Sequence, residues 1–140
     1  MEALKLSGEF VTLPFFNTTM PAGYPDSTPL DDQESKIDLS RILQPHPNST
    51  FIITIKGDSM AEANMPDGCM AVVDRSIKPS TGDIILAVLD GEFTVKRLVK
   101  AGRNWVLHPE NTFYKPIVIT EDTDFQVWGV VTSVIVDMRK

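Results

Sequence analysis

Short runs of apolar residues alternate with polar, turn-forming residues along most of the chain, and this pattern predicts a mostly β protein. The runs are rich in β-branched and aromatic side chains, as strands usually are. Glycine, proline and aspartate separate several of them, for example at 66–68, 79–82 and 101–102. We expect strands at Phe51–Ile55, Met70–Val73, Asp83–Leu89, Glu92–Val99, Trp105–Leu107, Pro116–Ile119 and Phe125–Val136.

One short helix is expected ahead of these strands. Leu39, Ile42 and Leu43 recur at helical spacing. Asp38 precedes them and can accept a hydrogen bond from a free amide at the start of the helix. Two prolines follow soon after Leu43 and end the helix.

The first 35 residues differ in composition from the rest of the chain. They hold six carboxylates against one lysine, and residues 24–35 contain a single aliphatic side chain. So little apolar surface does not offset the entropy that is lost when a segment becomes ordered. We therefore predict a flexible N-terminal arm at residues 1–35 and a β domain at residues 36–140. An apolar patch at residues 10–16 of the arm could dock as an extended segment.

The pair Asp90-Gly91 fixes how the two strands around it are paired. A two-residue loop of this type favours a type I′ hairpin turn, in which both loop residues have positive φ. Counting outward from the loop places Lys96 opposite Ile85. Thr94 and Leu98 lie beside Lys96 on the same face of its strand. The register therefore predicts an ammonium group on a largely apolar surface.

Composition limits the class of protein. With 42% hydrophobic and 23% charged residues, the chain has the balance of a globular domain. Its longest apolar stretch, Val127–Val136, is about half of the roughly 20 residues that cross a bilayer. The acidic N-terminus also lacks the pattern of a signal peptide. We expect no membrane association and a cytoplasmic location.

Charge and cysteine content exclude two further classes of site. A single cysteine cannot form an internal disulfide, and no cysteine and histidine cluster has metal-ligand spacing. We therefore expect no metal and no cofactor. The net charge of -6 argues against tight binding to a phosphate backbone, and so against direct sequence-specific DNA binding.

Ser59 is the first candidate for chemistry. It follows a predicted strand and Gly57, at the start of what the sequence predicts as a short helical turn reaching Met65. Free backbone amides point outward at a helix start, so the amides of Ser59 and Met60 could hold an oxyanion beside the serine hydroxyl. The alternative is that Ser59 serves only as the N-cap of the helix.

Lys96 is the candidate base. A lysine can take a proton from a serine only when burial lowers its pKa, because the ammonium form has no lone pair to offer. The predicted apolar surroundings favour such a role. The alternative is an ordinary lysine on a solvated strand face.

Other nucleophile and base combinations are weaker. His46 and His108 each lie beside a proline in a loop, and nothing in the sequence places either near Ser59. Cys69 begins an apolar strand, where a buried hydrophobic role is expected. We therefore favour a serine and lysine pair over a triad with histidine.

Several motifs together resemble a known family. They are Gly57-Asp58-Ser59-Met60, the strand Asp83–Leu89 and the hairpin arm Asp90–Leu98, with Val11–Phe16, Ala22–Pro25, Ile37–Leu39 and His46-Pro47 ahead of all three. In this order they resemble the LexA-type self-cleaving serine peptidases. Within that family they are most similar to the UmuD-like accessory subunits of SOS mutagenic DNA polymerases.

The resemblance implies a fold and a reaction. The fold would be the curved, multi-stranded β domain of the LexA C-terminal peptidase type, with an extended N-terminal arm. Ser59 would be the nucleophile, Lys96 the general base, and Ala22-Gly23 the bond that the protein cuts in itself. The sequence departs from the family at Pro21, which lacks an N–H, and this bears on the rate of cleavage.

The resemblance also implies partners. The protein would form a homodimer, a RecA-type filament on single-stranded DNA would trigger cleavage, and the shortened form would join a UmuC-like Y-family translesion polymerase. Two alternatives stay open at this point: a non-enzymatic adaptor that keeps the fold, and a truncated LexA-like repressor peptidase. The sequence does not decide whether a chain cuts itself or its dimer partner.

Overall fold

The computed structural model describes residues 3–5, 12–16, 22–23 and 34–139. The chain divides into two compact units, one formed by residues 8–45 and one by residues 1–7 with 46–140. Among the described residues, every helix is too short or too polar to cross a bilayer. These residues form β1 Ala3–Lys5, β2 Thr12–Phe16, β3 Glu34–Asp38, α1 Leu39–Leu43, β4 Thr50–Thr54, β5 Met70–Asp74, β6 Ile84–Leu89, β7 Glu92–Ala101, β8 Asn104–His108, β9 Ile117–Ile119 and β10 Phe125–Ile135.

The larger unit is built on one eight-stranded sheet, which confirms the prediction of a mostly β protein. Its strand order is β1-β4-β5-β10-β6-β7-β8-β9, and the adjacent strands are antiparallel. Each of the seven predicted strands is present with ends within two residues of the expected ones. The register shifts twice along β10, and such shifts bend a sheet locally.

The smaller unit contains β2, β3 and α1. Asp38 caps the helix by accepting a hydrogen bond of 3.1 Å from the Ser40 amide, as predicted. Strand β3 was not expected, because its alternating pattern is short and mostly polar. It pairs with β2, which lies well before it in the chain, and no local pattern indicates such a pairing. The remaining residues of the predicted arm, including 24–33, lie outside the described residues. The division of the chain at residue 35 stays a prediction.

The hairpin of β6 and β7 has the register that the loop predicts. Asp90 and Gly91 have φ values of 48° and 85°, the left-handed conformations that a type I′ turn requires. Ile85 pairs with Lys96. Strand β8 pairs with β7 only from Arg97 to Ala101, so Lys96 lies where β7 loses its neighbour on that side.

The core lies on both faces of the sheet, because successive side chains of a strand point to opposite faces. Leu86 belongs to one buried cluster, while Ile85 and Ala87 on either side of it belong to another. Gly129 allows β10 to approach β5 closely, since a Cβ at this position would lie 2.6 Å from a methyl carbon of Val73. These packed strands support the two candidate residues, Ser59 and Lys96.

Candidate active site

Ser59 lies in a turn that follows β4. Beyond Thr54 the chain stays tied to its neighbour through Ile55, whose amide donates to the Cys69 carbonyl at 2.8 Å. Gly57 then turns the chain with a φ of 94°, which glycine adopts without strain. Its amide donates to Asp67 Oδ1 at 2.7 Å, and this bond fixes the turn just before the serine.

Buried methionines anchor the chain on the other side of Ser59. The side chains of Met60 and Met65 are almost completely buried in the core. Between them lies a single 3₁₀ turn, Ala61–Ala63, and not the longer helical turn that the sequence predicts. The N-cap of this turn is Met60, without a side-chain cap, so the alternative role of Ser59 as an N-cap is wrong.

Lys96 reaches Ser59 across the fold. Its Nζ lies 3.0 Å from Ser59 Oγ, although 37 positions separate the two residues in the chain. Nζ also lies 2.7 Å from Thr94 Oγ1 and 3.1 Å from the Val95 carbonyl oxygen. Three oxygen atoms therefore surround the lysine nitrogen, and one of them is the serine hydroxyl.

Burial lowers the pKa of Lys96 below its ordinary value. Among the described residues, no carboxylate lies close enough to Lys96 to form an ion pair that would offset this effect. A neutral amine has two N–H groups and one lone pair. If Thr94 and Val95 accept the two N–H bonds, the lone pair is left for the Ser59 hydroxyl proton. The arrangement can therefore act as a nucleophile and its base.

Two backbone amides beside the hydroxyl have no acceptor among the described residues, namely those of Ser59 and Met60. The neighbouring amides of Gly57 and Ala61 donate to Asp67 and to the Asp58 carbonyl. Free amides next to a nucleophile are suited to bind an oxyanion. Because only one 3₁₀ turn follows, the local N–H groups and not a helix dipole would supply this stabilisation.

A cavity of about 100 Å³ gives access to the pair. Its lining includes Ser59, Lys96, Thr94 and Phe93. Phe93 also lines a wider depression of about 470 Å³, together with Thr54, Lys56 and Glu92. The ring of Phe93 stands edge-on against Trp128, with the ring centroids 5.0 Å apart. Trp128 therefore supports one wall shared by both spaces.

The histidines and the cysteine have other partners. His46 Nδ1 lies 2.7 Å from Asp74 Oδ2, and His108 Nδ1 lies 2.8 Å from the Pro109 carbonyl oxygen. Cys69 is buried in the core, as predicted. Within the described part of the chain, Ser59 thus meets a lysine and no histidine.

The predicted cleavage site is described only in part. Ala22 and Gly23 are exposed and lie in a bend of the smaller unit. An added Cβ at Gly23 would meet no atom within 4 Å. Pro21 lies outside the described residues.

Sequence reasoning missed the atoms that hold the pair in place. Thr94 was expected on the face of Lys96, but its hydrogen bond was not, although the two-residue spacing could have indicated it. The contacts of Asn111 and Tyr114 with Asp58 were also missed. More than 50 positions separate those partners, and no local pattern signals such a contact.

Comparison with known proteins places the chain in a family. The Peptidase S24-like family matches residues 14–132. Protein SamA of Salmonella typhimurium (strain LT2) is 42% identical over 124 residues, which cover 89% of this chain and 85% of SamA. Protein ImpA of Escherichia coli is 36% identical over 130 residues, covering 87% of this chain and 82% of ImpA. LexA repressor 2 of Pseudomonas syringae pv. tomato is 41% identical over 80 residues, covering 57% of this chain and 40% of the repressor.

The family match extends over most of the chain. It includes the turn that carries Ser59, the hairpin that carries Lys96, and Ala22-Gly23. The resemblance seen in the sequence motifs is confirmed, since the relatives include both SamA and a LexA repressor. This chain belongs to the Peptidase S24-like family.

Proposed function

We propose that this chain is a self-cleaving serine peptidase that hydrolyses its own Ala22-Gly23 bond. The observation that carries the proposal is the 3.0 Å distance between Ser59 Oγ and Lys96 Nζ. Burial lowers the pKa of Lys96, so a larger share of the lysine is neutral at a given pH than in water. Membership of the Peptidase S24-like family supports the same reaction class.

The first half of the reaction forms an acyl-enzyme. Neutral Lys96 removes the proton of Ser59 Oγ, and Oγ attacks the carbonyl carbon of Ala22. The amides of Ser59 and Met60 hold the oxyanion that develops on the carbonyl oxygen. Lys96, now an ammonium ion, gives its proton to the Gly23 nitrogen, and the C–N bond breaks. An ester then joins the Ala22 carbonyl carbon to Ser59.

The second half releases that ester by hydrolysis. Lys96 is neutral again and removes a proton from a water molecule that attacks the ester carbonyl. The same two amides hold the second oxyanion. When the ester bond breaks, Lys96 returns the proton to Ser59 Oγ. The products are a carboxylic acid on Ala22, which releases its proton to water and becomes a carboxylate, and a free amino group on Gly23.

The residues at the proposed bond suit the cavity around Ser59. The space of about 100 Å³ admits a small side chain such as that of Ala22. Gly23 has no side chain, so the backbone can approach the serine closely. The bond cut in this way belongs either to the same chain or to the arm of a dimer partner.

The cellular role is part of the same proposal and follows the UmuD-like resemblance. We infer a cytoplasmic homodimer that is cleaved when a RecA-type filament on single-stranded DNA forms during the SOS response. The shortened form then acts as the accessory subunit of a UmuC-like Y-family translesion polymerase. The similarity to SamA and ImpA over more than four-fifths of their lengths supports this branch of the family.

The test is self-cleavage of the purified chain at alkaline pH, followed on denaturing gels. Wild type should shorten, whereas Ser59→Ala and Lys96→Ala should stay whole. Lys100→Ala is the matched control, because Lys100 is an exposed lysine on the same strand and should not affect the rate. A Ser59→Ala chain that shortened by itself would contradict the proposal. A folded wild-type chain that stayed whole, even with an activated RecA filament, would favour the non-enzymatic adaptor.

A further inference from the structure

The loop between β8 and β9 holds the turn that carries Ser59. We call residues 109–114 of this loop the strap. At its base the Glu110 carboxylate pairs with Arg97, the residue that follows Lys96 on β7. The carbonyl oxygen of Glu110 accepts a hydrogen bond of 2.8 Å from the Glu62 amide. The strap therefore links the strand of the proposed base with the chain just after the proposed nucleophile.

Farther along, the strap binds Asp58, the residue before Ser59, in two ways. Asn111 Nδ2 donates to the Asp58 carbonyl oxygen at 2.8 Å. Tyr114 donates its hydroxyl proton to Asp58 Oδ1 at 2.6 Å. This hydrogen bond and the negative charge of Asp58 raise the pKa of Tyr114. Asn111 is itself fixed, because its Oδ1 accepts a bond of 3.0 Å from the Phe113 amide.

The bond from Asn111 acts on a particular peptide group. The Asp58 carbonyl and the Ser59 N–H belong to one planar peptide unit, in which C=O and N–H point in opposite directions. The same carbonyl accepts a second bond, from the Ala61 amide at 3.1 Å. Two donors on the carbonyl side thus fix the plane of the unit and so the direction of the Ser59 N–H. They also polarise the group, which makes its N–H a stronger donor.

We infer that Asn111 is a positioning residue for the backbone amide of Ser59, the donor that would hold the oxyanion. This inference rests on the proposed peptidase function and names a residue outside the serine and lysine pair. Asn111 acts through the peptide group and touches neither Ser59 Oγ nor Lys96 Nζ. Its loss should therefore lower the rate of bond cleavage without changing the ionisation of Lys96.

The experiment compares self-cleavage of the full chain in wild type, Asn111→Asp and Asn111→Ala. Asn111→Asp keeps the acceptor for the Phe113 amide and replaces the N–H donor to Asp58 with a charged carboxylate oxygen, whereas Asn111→Ala removes the donor without adding a charge. Both variants should cleave at least about tenfold more slowly, since removing an oxyanion donor outright costs roughly 100-fold or more. The uncharged variant, Asn111→Ala, should have a pH profile with the wild-type midpoint and a lower plateau.

Two controls separate this role from a general loosening of the strap. Thr112→Ala changes a strap side chain while leaving the Thr112 amide bond to Glu62 available, so its rate should equal that of wild type. Tyr114→Phe removes the hydrogen bond to the Asp58 side chain and keeps both hydrogen bonds to the Asp58 backbone carbonyl. The cleavage rate of this variant should therefore stay within about threefold of wild type. Thermal unfolding of each variant checks that the fold is retained.

The outcomes are distinguishable. If wild type cleaves and both Asn111 variants cleave at the wild-type rate, the inference is overturned while the proposed function stands. For Asn111→Ala, a shifted pH midpoint with an unchanged plateau would show that Asn111 acts on the ionisation of Lys96. That result would also overturn the inference. An Asn111→Ala chain that does not fold would make the residue structural, with the same consequence. If wild type itself does not cleave, the proposed function fails first.

Discussion

Thr94 Oγ1 lies 2.7 Å from Lys96 Nζ, on the same face of strand β7 and two residues before it. With the Val95 carbonyl oxygen, this contact holds two of the hydrogen-bonding positions of the lysine nitrogen. The third position faces Ser59 Oγ. Thr94 therefore determines where the lone pair points once Lys96 has lost a proton.

Replacing this hydroxyl should slow self-cleavage. Thr94→Val has nearly the same shape but no acceptor for the Lys96 N–H, so the amine would lose its fixed orientation. We expect a rate about tenfold or more below wild type, because a misplaced general base loses much of its roughly 100-fold or greater contribution. Thr94→Ser retains the hydroxyl and should keep most of the rate. Equal rates for Thr94→Val and wild type would show that the contact has no catalytic importance.

Self-cleavage without a partner should accelerate as pH rises. Burial lowers the pKa of Lys96 from its ordinary value of 10.5, so the neutral, reactive fraction grows on the alkaline side of neutrality and levels off above the lowered pKa. Rates measured between about pH 6 and pH 10 test this, with circular dichroism to confirm that the chain stays folded. A rate that is flat or falls over this range would exclude Lys96 as the base.

The same burial should make Lys96 costly for stability. Below the lowered pKa, both the folded and the unfolded chain carry the charge, and only the folded chain bears the cost of burying it. Lys96→Met should therefore raise the free energy of unfolding near pH 7, by an amount that shrinks as pH approaches 10.5. Urea unfolding at several pH values measures the difference. A Met variant that is less stable than wild type at neutral pH would contradict this explanation.

Asp74 should stabilise the larger unit through its hydrogen bonds. Its side chain is buried and accepts bonds from Ser76, His46 and Ser49. Burial alone would raise the pKa of Asp74, but these bonds outweigh burial and lower the pKa from 3.8 to about 2. A lowered carboxylate pKa contributes stability that is present above about pH 4 and is lost as pH falls through about 2. The shift corresponds to about 2 kcal/mol.

Asp74→Asn should accordingly destabilise the fold by roughly 2 kcal/mol at neutral pH, because an amide cannot accept all of these bonds. Its unfolding should also depend less on pH between about pH 4 and 2 than that of wild type. Asp122→Asn, at an exposed position in a turn, is the matched control and should unfold like wild type. If both variants unfold alike, the hydrogen bonds to Asp74 contribute little.

The parts of this site that local sequence determines were predictable. A two-residue turn with positive φ has few alternatives, so Asp90-Gly91 fixed the register and placed Lys96 opposite Ile85. What brings Ser59 to Lys96 is the whole sheet, and from sequence that pairing depended on the family resemblance. Strand β3 and the strap could not be predicted, because their stabilising partners are distant in the chain and most of their own residues are polar.

Substitution at the proposed bond should block cleavage without affecting the catalytic pair. Gly23→Glu would force a bulky, charged side chain against Ser59 during attack, so we expect no detectable product. Gly23 has no close neighbours, and the variant should fold like wild type. Gly8→Glu places the same side chain elsewhere in the first 22 residues and should leave cleavage intact. Normal cleavage of Gly23→Glu would show that the cut lies elsewhere.

Intact-mass spectrometry of the purified full-length chain after alkaline incubation tests the central claim most directly. Wild type should give two products, a peptide that ends at Ala22 and a fragment that begins at Gly23 and continues to Lys140. Ser59→Ala, incubated in parallel, should keep the mass of the whole chain. A fragment that begins at any other residue, or the same fragment from Ser59→Ala, would contradict the assignment of Ser59 and Lys96 to cleavage of Ala22-Gly23.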